Sequence, residues 1–252
     1  MRTITLTRKG YQMRQIKTRN EIDELCEGII NLYEGEEYIE KPVDIEGLAL
    51  SYFKLKVYYV HFTEDKQDRL GCITDGKSLY KLIRNGKIGT YSFPQNTILL
   101  DKSLKGDAER AKRRFTLAHE VYHYIDSVIN GKASYGYSSR VRGEEQYEKD
   151  ELRQMMSMDE WAADRGAAAL LMPKRLVTTT AKLMFGSREV PIFGNNMLLP
   201  DDKDRVFEMA DFLGVSFTAL LIRMKELKLF KYHSMNQYIS LTMGEAEQAV
   251  AQ

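Results

Sequence analysis

The chain has 252 residues, 43% hydrophobic and 29% charged, enough apolar material for a core in one large domain or two small ones. A net charge of +1 supplies no global basic field for a nucleic-acid backbone. No run approaches the roughly eighteen apolar residues of a membrane span, and two cysteines without metal-like spacing, Cys26 and Cys72, fit a reducing compartment.

In chain order, residues 1–17 are basic and polar and read as a leader, poorly ordered or added as a strand; they lack the apolar core of a signal peptide. Asn20-Glu-Ile-Asp23 predicts a helix start, with Ile22, Leu25, Cys26, Ile29, Ile30 and Tyr33 on one stripe. A short helix is expected from about Asp44. Leu55 to Phe62 is rich in β-branched and aromatic residues and predicts a strand. Residues 69–101 predict an antiparallel meander, with Asn85-Gly86 as the hairpin turn and Asn96 to Asp101 as its last strand. An edge of that sheet could hold an extended peptide by backbone hydrogen bonds.

The next segment carries His119-Glu120-Val121-Tyr122-His123, two of the chain's four histidines within five residues. Ala108, Ala111, Phe115, Ala118, Tyr122 and Ile125 recur at helical steps, and Gly131 is a stop signal. Residues four apart share a helix face, so His119 and His123 can point two imidazoles at one metal ion. Glu120 lies about 100° around the helix from His119, beside that ion and not on it, where a base for a water molecule is needed. A packed or solvated histidine pair is the alternative reading of the same five residues.

Zinc in a catalytic site needs three protein ligands and an open position. His61 and His233 lie in no metal-like pattern. Glu160 is the better third ligand, at the start of an alanine- and leucine-rich helix that ends at Pro173. Asp164 shares its face and is placed to accept the distal N–H of a ligating histidine. The small residues Ala162, Ala163, Gly166, Ala167, Ala168 and Ala169 would let another helix approach closely. Taken alone, Glu160 and Asp164 could also be a surface acidic pair.

Between these helices, residues 131–153 form an inserted loop, read as a solvated insertion or as a substrate-contacting segment through Tyr135, Tyr137 and Arg140. Farther on, Asp201 to Leu213 and Phe217 to Leu227 are helical, broken by Gly214-Val-Ser216. This pair resembles a helix-turn-helix. Packing against the preceding domain is favoured over DNA contact, because the second helix offers only Arg223, Lys225 and Lys228.

Arg113-Arg-Phe-Thr-Leu-Ala-His-Glu-Val-Tyr-His-Tyr124, then Glu160-x-x-Ala163-Asp164 and Ala168-Ala-Leu-Leu-Met-Pro173, resemble the ImmA/IrrE family of metallopeptidases. Weaker likeness reaches back to Pro42 and forward to Leu227. The resemblance implies an α+β, thermolysin-like (minimal gluzincin) core with one zinc ion per chain, held by His119, His123 and Glu160. Glu120 would be the general base. It also implies a protein substrate, a helix-turn-helix transcriptional repressor cut at one place, in a bacterial stress response or mobile element. The interval between His123 and Glu160 is longer than the family's usual one. Tyr122, Tyr124 and His233 are candidate donors to the oxyanion, and the sequence does not choose among them; Tyr122 falls on the apolar stripe.

The expected organisation is a leader (1–17), a metallopeptidase domain (18–185), a C-terminal helical region (186–244) and a tail (245–252), in a cytoplasmic protein with no membrane partner. The rival readings are a non-catalytic zinc-binding regulator that docks a repressor, and a DNA-binding regulator.

Overall fold

A computed structural model describes residues 18–35, 41–63, 70–130, 158–187 and 189–250. The leader and the 131–153 insertion lie outside them.

Helix α1 (Arg19–Glu34) is capped by Thr18, two residues before the expected start. The Thr18 hydroxyl accepts the Glu21 N–H, and the Glu21 carboxylate accepts the Thr18 N–H in return, which satisfies two donors that the first turn leaves open. Ile22, Cys26 and Ile30 carry its buried stripe. The single turn α2 (Ile45–Gly47), capped by Asp44, runs on into a π-helical turn to Tyr52.

Three strands form the central sheet: β1 (Lys56–Val60), β2 (Gly71–Ile73) and β5 (Thr97–Asp101). Their order is β1-β5-β2, with β5 parallel to β1 and antiparallel to β2. Strands β3 (Leu79–Arg84) and β4 (Lys87–Ser92) pair only with each other among the described strands, around Asn85 and Gly86. Both turn residues have positive φ, 50° and 74°, as a two-residue hairpin turn requires.

The single antiparallel meander expected over 69–101 is therefore corrected: the hairpin forms, but as a separate sheet. Ile98, Leu99 and Leu100 are apolar on both faces and fully buried, which suits a central strand. The hairpin alternates buried and exposed positions and covers a small cluster of Phe62, Cys72, Tyr80, Leu82 and Leu99. The two cysteines are free, buried and in different clusters, as a reducing compartment allows.

Two 3-10 turns (Lys102–Lys105 and Asp107–Glu109) lead from β5 into α3 (Arg110–Asn130). Helix α4 (Met158–Leu171) packs along α3, and α5 (Lys174–Phe185) follows Pro173. Their crossing is set at Gly166, where an added Cβ would lie 1.9–2.4 Å from Tyr122 ring atoms. From the other side α1 leans on α4, with Cys26 Sγ 3.7 Å from the Gly166 carbonyl.

Strand β6 (Val190–Phe193) pairs in parallel with β7 (Phe230–His233), enclosing α6 (Pro200–Leu213) and α7 (Phe217–Glu226) between them. The region expected to be wholly helical thus holds a two-stranded sheet as well. Helix α8 (Met235–Val250) continues past Gly244, so the backbone expected to be a tail is helical as far as Val250.

The α6–α7 hairpin turns at Gly214 (φ 65°) and packs against the rest of the molecule. Arg114 of α3 donates from Nε to the Gly214 carbonyl (3.1 Å) and from Nη2 to the Val43 carbonyl (2.8 Å). Arg223 of α7 is 1% exposed; its Nε donates to the Met172 carbonyl (2.9 Å) and its Nη1 to Asp23 of α1 (3.0 Å). Arg165 of α4 bonds to the same Asp23 (2.5 Å) and to Glu226. One of the three basic residues considered for DNA contact is thus consumed inside the protein.

Candidate metal centre

Helix α3 presents His119 and His123 one turn apart, 2% and 6% exposed. Helix α4 presents Glu160 opposite them. The two Nε2 atoms lie 3.0 Å apart, and the Glu160 carboxylate lies 3.4 Å from His119 Nε2 and 3.5 Å from His123 Nε2. Among the described residues, these three form a group able to hold a metal ion.

The donor set fits zinc on geometry as well as on chemistry. Ligand atoms about 2.0 Å from a tetrahedral ion stand about 3.3 Å from one another, and the three observed separations bracket that value. The short His119–His123 approach is therefore read as convergence on one point and not as an ordinary hydrogen bond. Asp164 Oδ1 lies 2.9 Å from His119 Nδ1, so that nitrogen donates and Nε2 keeps its lone pair for a metal.

Electrostatics agree with a cation-binding cage. Burial works against a charged His119 imidazole, but the Asp164 and Glu160 carboxylates outweigh it and hold its pKa at about 10. Burial works against the Glu160 carboxylate too, yet the two imidazoles bring it down to about 2. The cluster thus keeps a positive charge between the rings and the carboxylates, and a metal ion would take that proton's place.

Glu120 is fully buried beside this group, against strand β2. Among the described residues neither of its oxygens has a well-formed hydrogen bond, and the Ile73 backbone offers only a weak stabilising dipole. Burial pushes its pKa up, opposed in part by His119 and His123. Gly71 makes room for it: a Cβ there would stand 3.2 Å from Glu120 Oε1 and 2.7 Å from Thr116 Cγ2. The one local signal of Gly71 in the sequence is a glycine at the mouth of a short apolar strand.

The oxyanion candidates have packing partners of their own. Tyr122 is 1% exposed in the main core, its ring against Gly166. Tyr124 meets Phe53 edge-on at 5.3 Å. His233 on β7 stacks on Phe193 (5.3 Å) and lies 3.3 Å from Gln237 Oε1. The structure brings His119, Glu120, His123, Glu160 and Asp164 together and gives these three no part in the metal-binding group.

An α+β fold with two helices converging an H-E-x-x-H pair and a glutamate on one point defines a metal-binding domain of the H-E-x-x-H class. Residues 85–225, more than half of the chain, match the model of the IrrE N-terminal-like domain, and the chain belongs to this metallopeptidase family. No curated protein matches it. None of the described helices is long and apolar enough to cross a membrane.

Removing the Glu160 carboxylate leaves two nitrogen ligands. Disturbing a group that merely orients a ligand costs about 10–100-fold in metal affinity, so Glu160→Ala is expected to lose more than about 100-fold. A competition titration against a chromophoric chelator measures this, and zinc affinity equal to that of the unaltered chain would refute the assignment.

Proposed function

We propose that the chain is a zinc-dependent endopeptidase that cuts a protein substrate at one site, with a thermolysin-like arrangement of its core. The observation that carries this reading is the buried Glu120 carboxylate beside three donors spaced for a tetrahedral ion. A site that only binds metal has no use for an ionisable group held there at the expense of its hydration.

His119, His123 and Glu160 would hold the zinc, and Asp164 would fix the His119 ring through Nδ1. Zinc when bound supplies a Lewis acid that polarises the scissile carbonyl and acidifies water. Glu120, with its pKa raised, takes the water proton on a carboxylate oxygen and delivers it to the leaving amine. The outer edges of the β1-β5-β2 sheet, which pair with no further strand among the described residues, are suited to holding an extended peptide, and β2 runs against the helix that carries Glu120.

For the substrate we favour a helix-turn-helix transcriptional repressor in the bacterial cytoplasm, a class to which the family resemblance points. The test is to incubate the purified chain with the repressor encoded nearest to its gene. A single pair of fragments is expected, abolished by a zinc chelator and restored by adding zinc back. Relief of repression in cells with no fragment in either setting would favour the non-catalytic docking reading instead.

A further inference from the structure

Strand β2 meets α3 at Gly71 with no room for a side chain. An added Cβ would lie 2.7 Å from Thr116 Cγ2, 3.2 Å from Glu120 Oε1 and 3.3 Å from Leu100 Cδ2. The first distance is well inside the roughly 3.5–4.0 Å at which carbon atoms pack. Thr116 cannot step aside freely. It is fully buried, and its hydroxyl donates to the Lys112 carbonyl one turn back (2.9 Å), which holds its methyl group on the β2 side. Nor can β2 retreat. Gly71 pairs with Leu100, the Asp101 N–H donates to the Leu70 carbonyl (2.8 Å), and the Thr74 N–H donates to the Thr97 carbonyl (2.9 Å). Thr116 and Glu120 are four residues apart and share a face of α3, so methyl group and carboxylate meet the same strand. Among the described residues no well-formed hydrogen bond anchors that carboxylate. Packing has to place it.

We propose that Thr116 and Gly71 are positioning residues for Glu120. The Thr116 methyl group is the spacer between α3 and β2, and the bare Gly71 backbone leaves the carboxylate its seat beside the three metal-binding donors. What Glu120 does there rests on the peptidase reading; where it stands rests on packing alone. The two residues work as a matched pair. A methyl group added at Gly71 crowds the seat, and the methyl group removed from Thr116 slackens it. Making both changes together restores the total volume.

The test is Gly71→Ala, Thr116→Ser and the double variant in the full chain. A misplacement of about 1 Å can cost about 100-fold in rate. In the zinc-loaded chain Gly71→Ala is expected to lower kcat at least about tenfold, and Thr116→Ser about threefold, with KM and zinc affinity within about threefold of the parent. The double variant, which keeps the hydroxyl bond to Lys112, should recover most of the kcat lost in Gly71→Ala. In chelator-treated chain Gly71→Ala should lower Tm, and by less than half as much when Glu120 is also replaced by alanine. Should Gly71→Ala fail to fold, Thr116→Ser alone decides, and an unchanged kcat overturns the pairing. Zinc affinity that falls in step with kcat shows that Gly71 spaces the whole helix, and overturns it too. A parental kcat in Gly71→Ala beside a slow Glu120→Gln overturns the positioning role and leaves the peptidase reading standing. If the parent cuts nothing, the peptidase reading falls and the melting comparison decides alone: equal Tm losses with and without the Glu120 side chain overturn the seat, and the smaller loss supports it.

Discussion

Replacing Glu120 with glutamine is expected to slow cleavage severely and to leave the protein at least as stable as before. Glutamine keeps the shape of the side chain, so the two histidines and Glu160 keep their positions and zinc binding persists. What is lost is a proton acceptor, and general acid–base groups contribute about 10²–10⁴ in rate. A fall of about 10³ in the cleavage rate at full zinc loading is the expected result. The stability effect comes from the same residue. Glu120 is fully buried with a raised pKa, so the folded chain prefers it protonated. Ionisation above its ordinary value of 4.5 therefore costs stability, and the cost grows as pH rises from there towards the folded-state pKa. Glutamine has no such cost. In chelator-treated protein the variant should melt higher than its parent at neutral pH, and the gap should close in acid, where both side chains are neutral. Cleavage by the glutamine variant at the parent's rate would remove Glu120 from the reaction.

The second large effect is structural. Gly166→Ala puts a methyl group 1.9–2.4 Å from the Tyr122 ring, well inside contact distance, in the packed seam between α3 and α4. Alanine is the better helix former by roughly 0.5–1 kcal/mol, which works in favour of the substitution. Overpacking a filled core costs about 1–3 kcal/mol and sometimes more. Tyr122 is 1% exposed and has nowhere to swing, so overpacking wins. A net loss of about 2 kcal/mol would lower Tm by roughly 4–8 °C for a chain of this size. Because Glu160 and Asp164 ride on the same helix, zinc affinity should fall as well. Shortening the opposing ring in a Gly166→Ala/Tyr122→Leu double variant should recover part of both losses. A single variant with unchanged Tm and zinc affinity would show that the helices separate freely.

Much of the metal centre was legible from local pattern. The H-E-x-x-H spacing, the apolar stripe through Phe115, Ala118, Tyr122 and Ile125, and the Glu160–Asp164 pair each lie within one helix, where periodicity fixes which face a residue occupies. The Asn85-Gly86 turn was legible for the same reason. Strand order was not. Residues 97–101 choose between partners on either side by burial, and that choice lies about forty residues away in the pairing with β1. The four-residue strands β6 and β7 are too short to show an alternation. Gly71 under Glu120 and Gly166 under Tyr122 are matters of contact between elements, and a glycine in sequence does not say what presses on it.

The ion cluster of Asp23, Arg165, Arg223 and Glu226 carries an evolutionary consequence. Its members come from α1, α4 and α7, and the two arginines are almost wholly enclosed. Losing one acid strands a buried cation, whereas exchanging the whole set for apolar side chains of similar volume can be neutral. The four positions are therefore bound to change together. Relatives that keep Asp23 should keep both arginines, and relatives that lack it should have replaced them, so an alignment would show one joint substitution across 204 positions of chain, from 23 to 226.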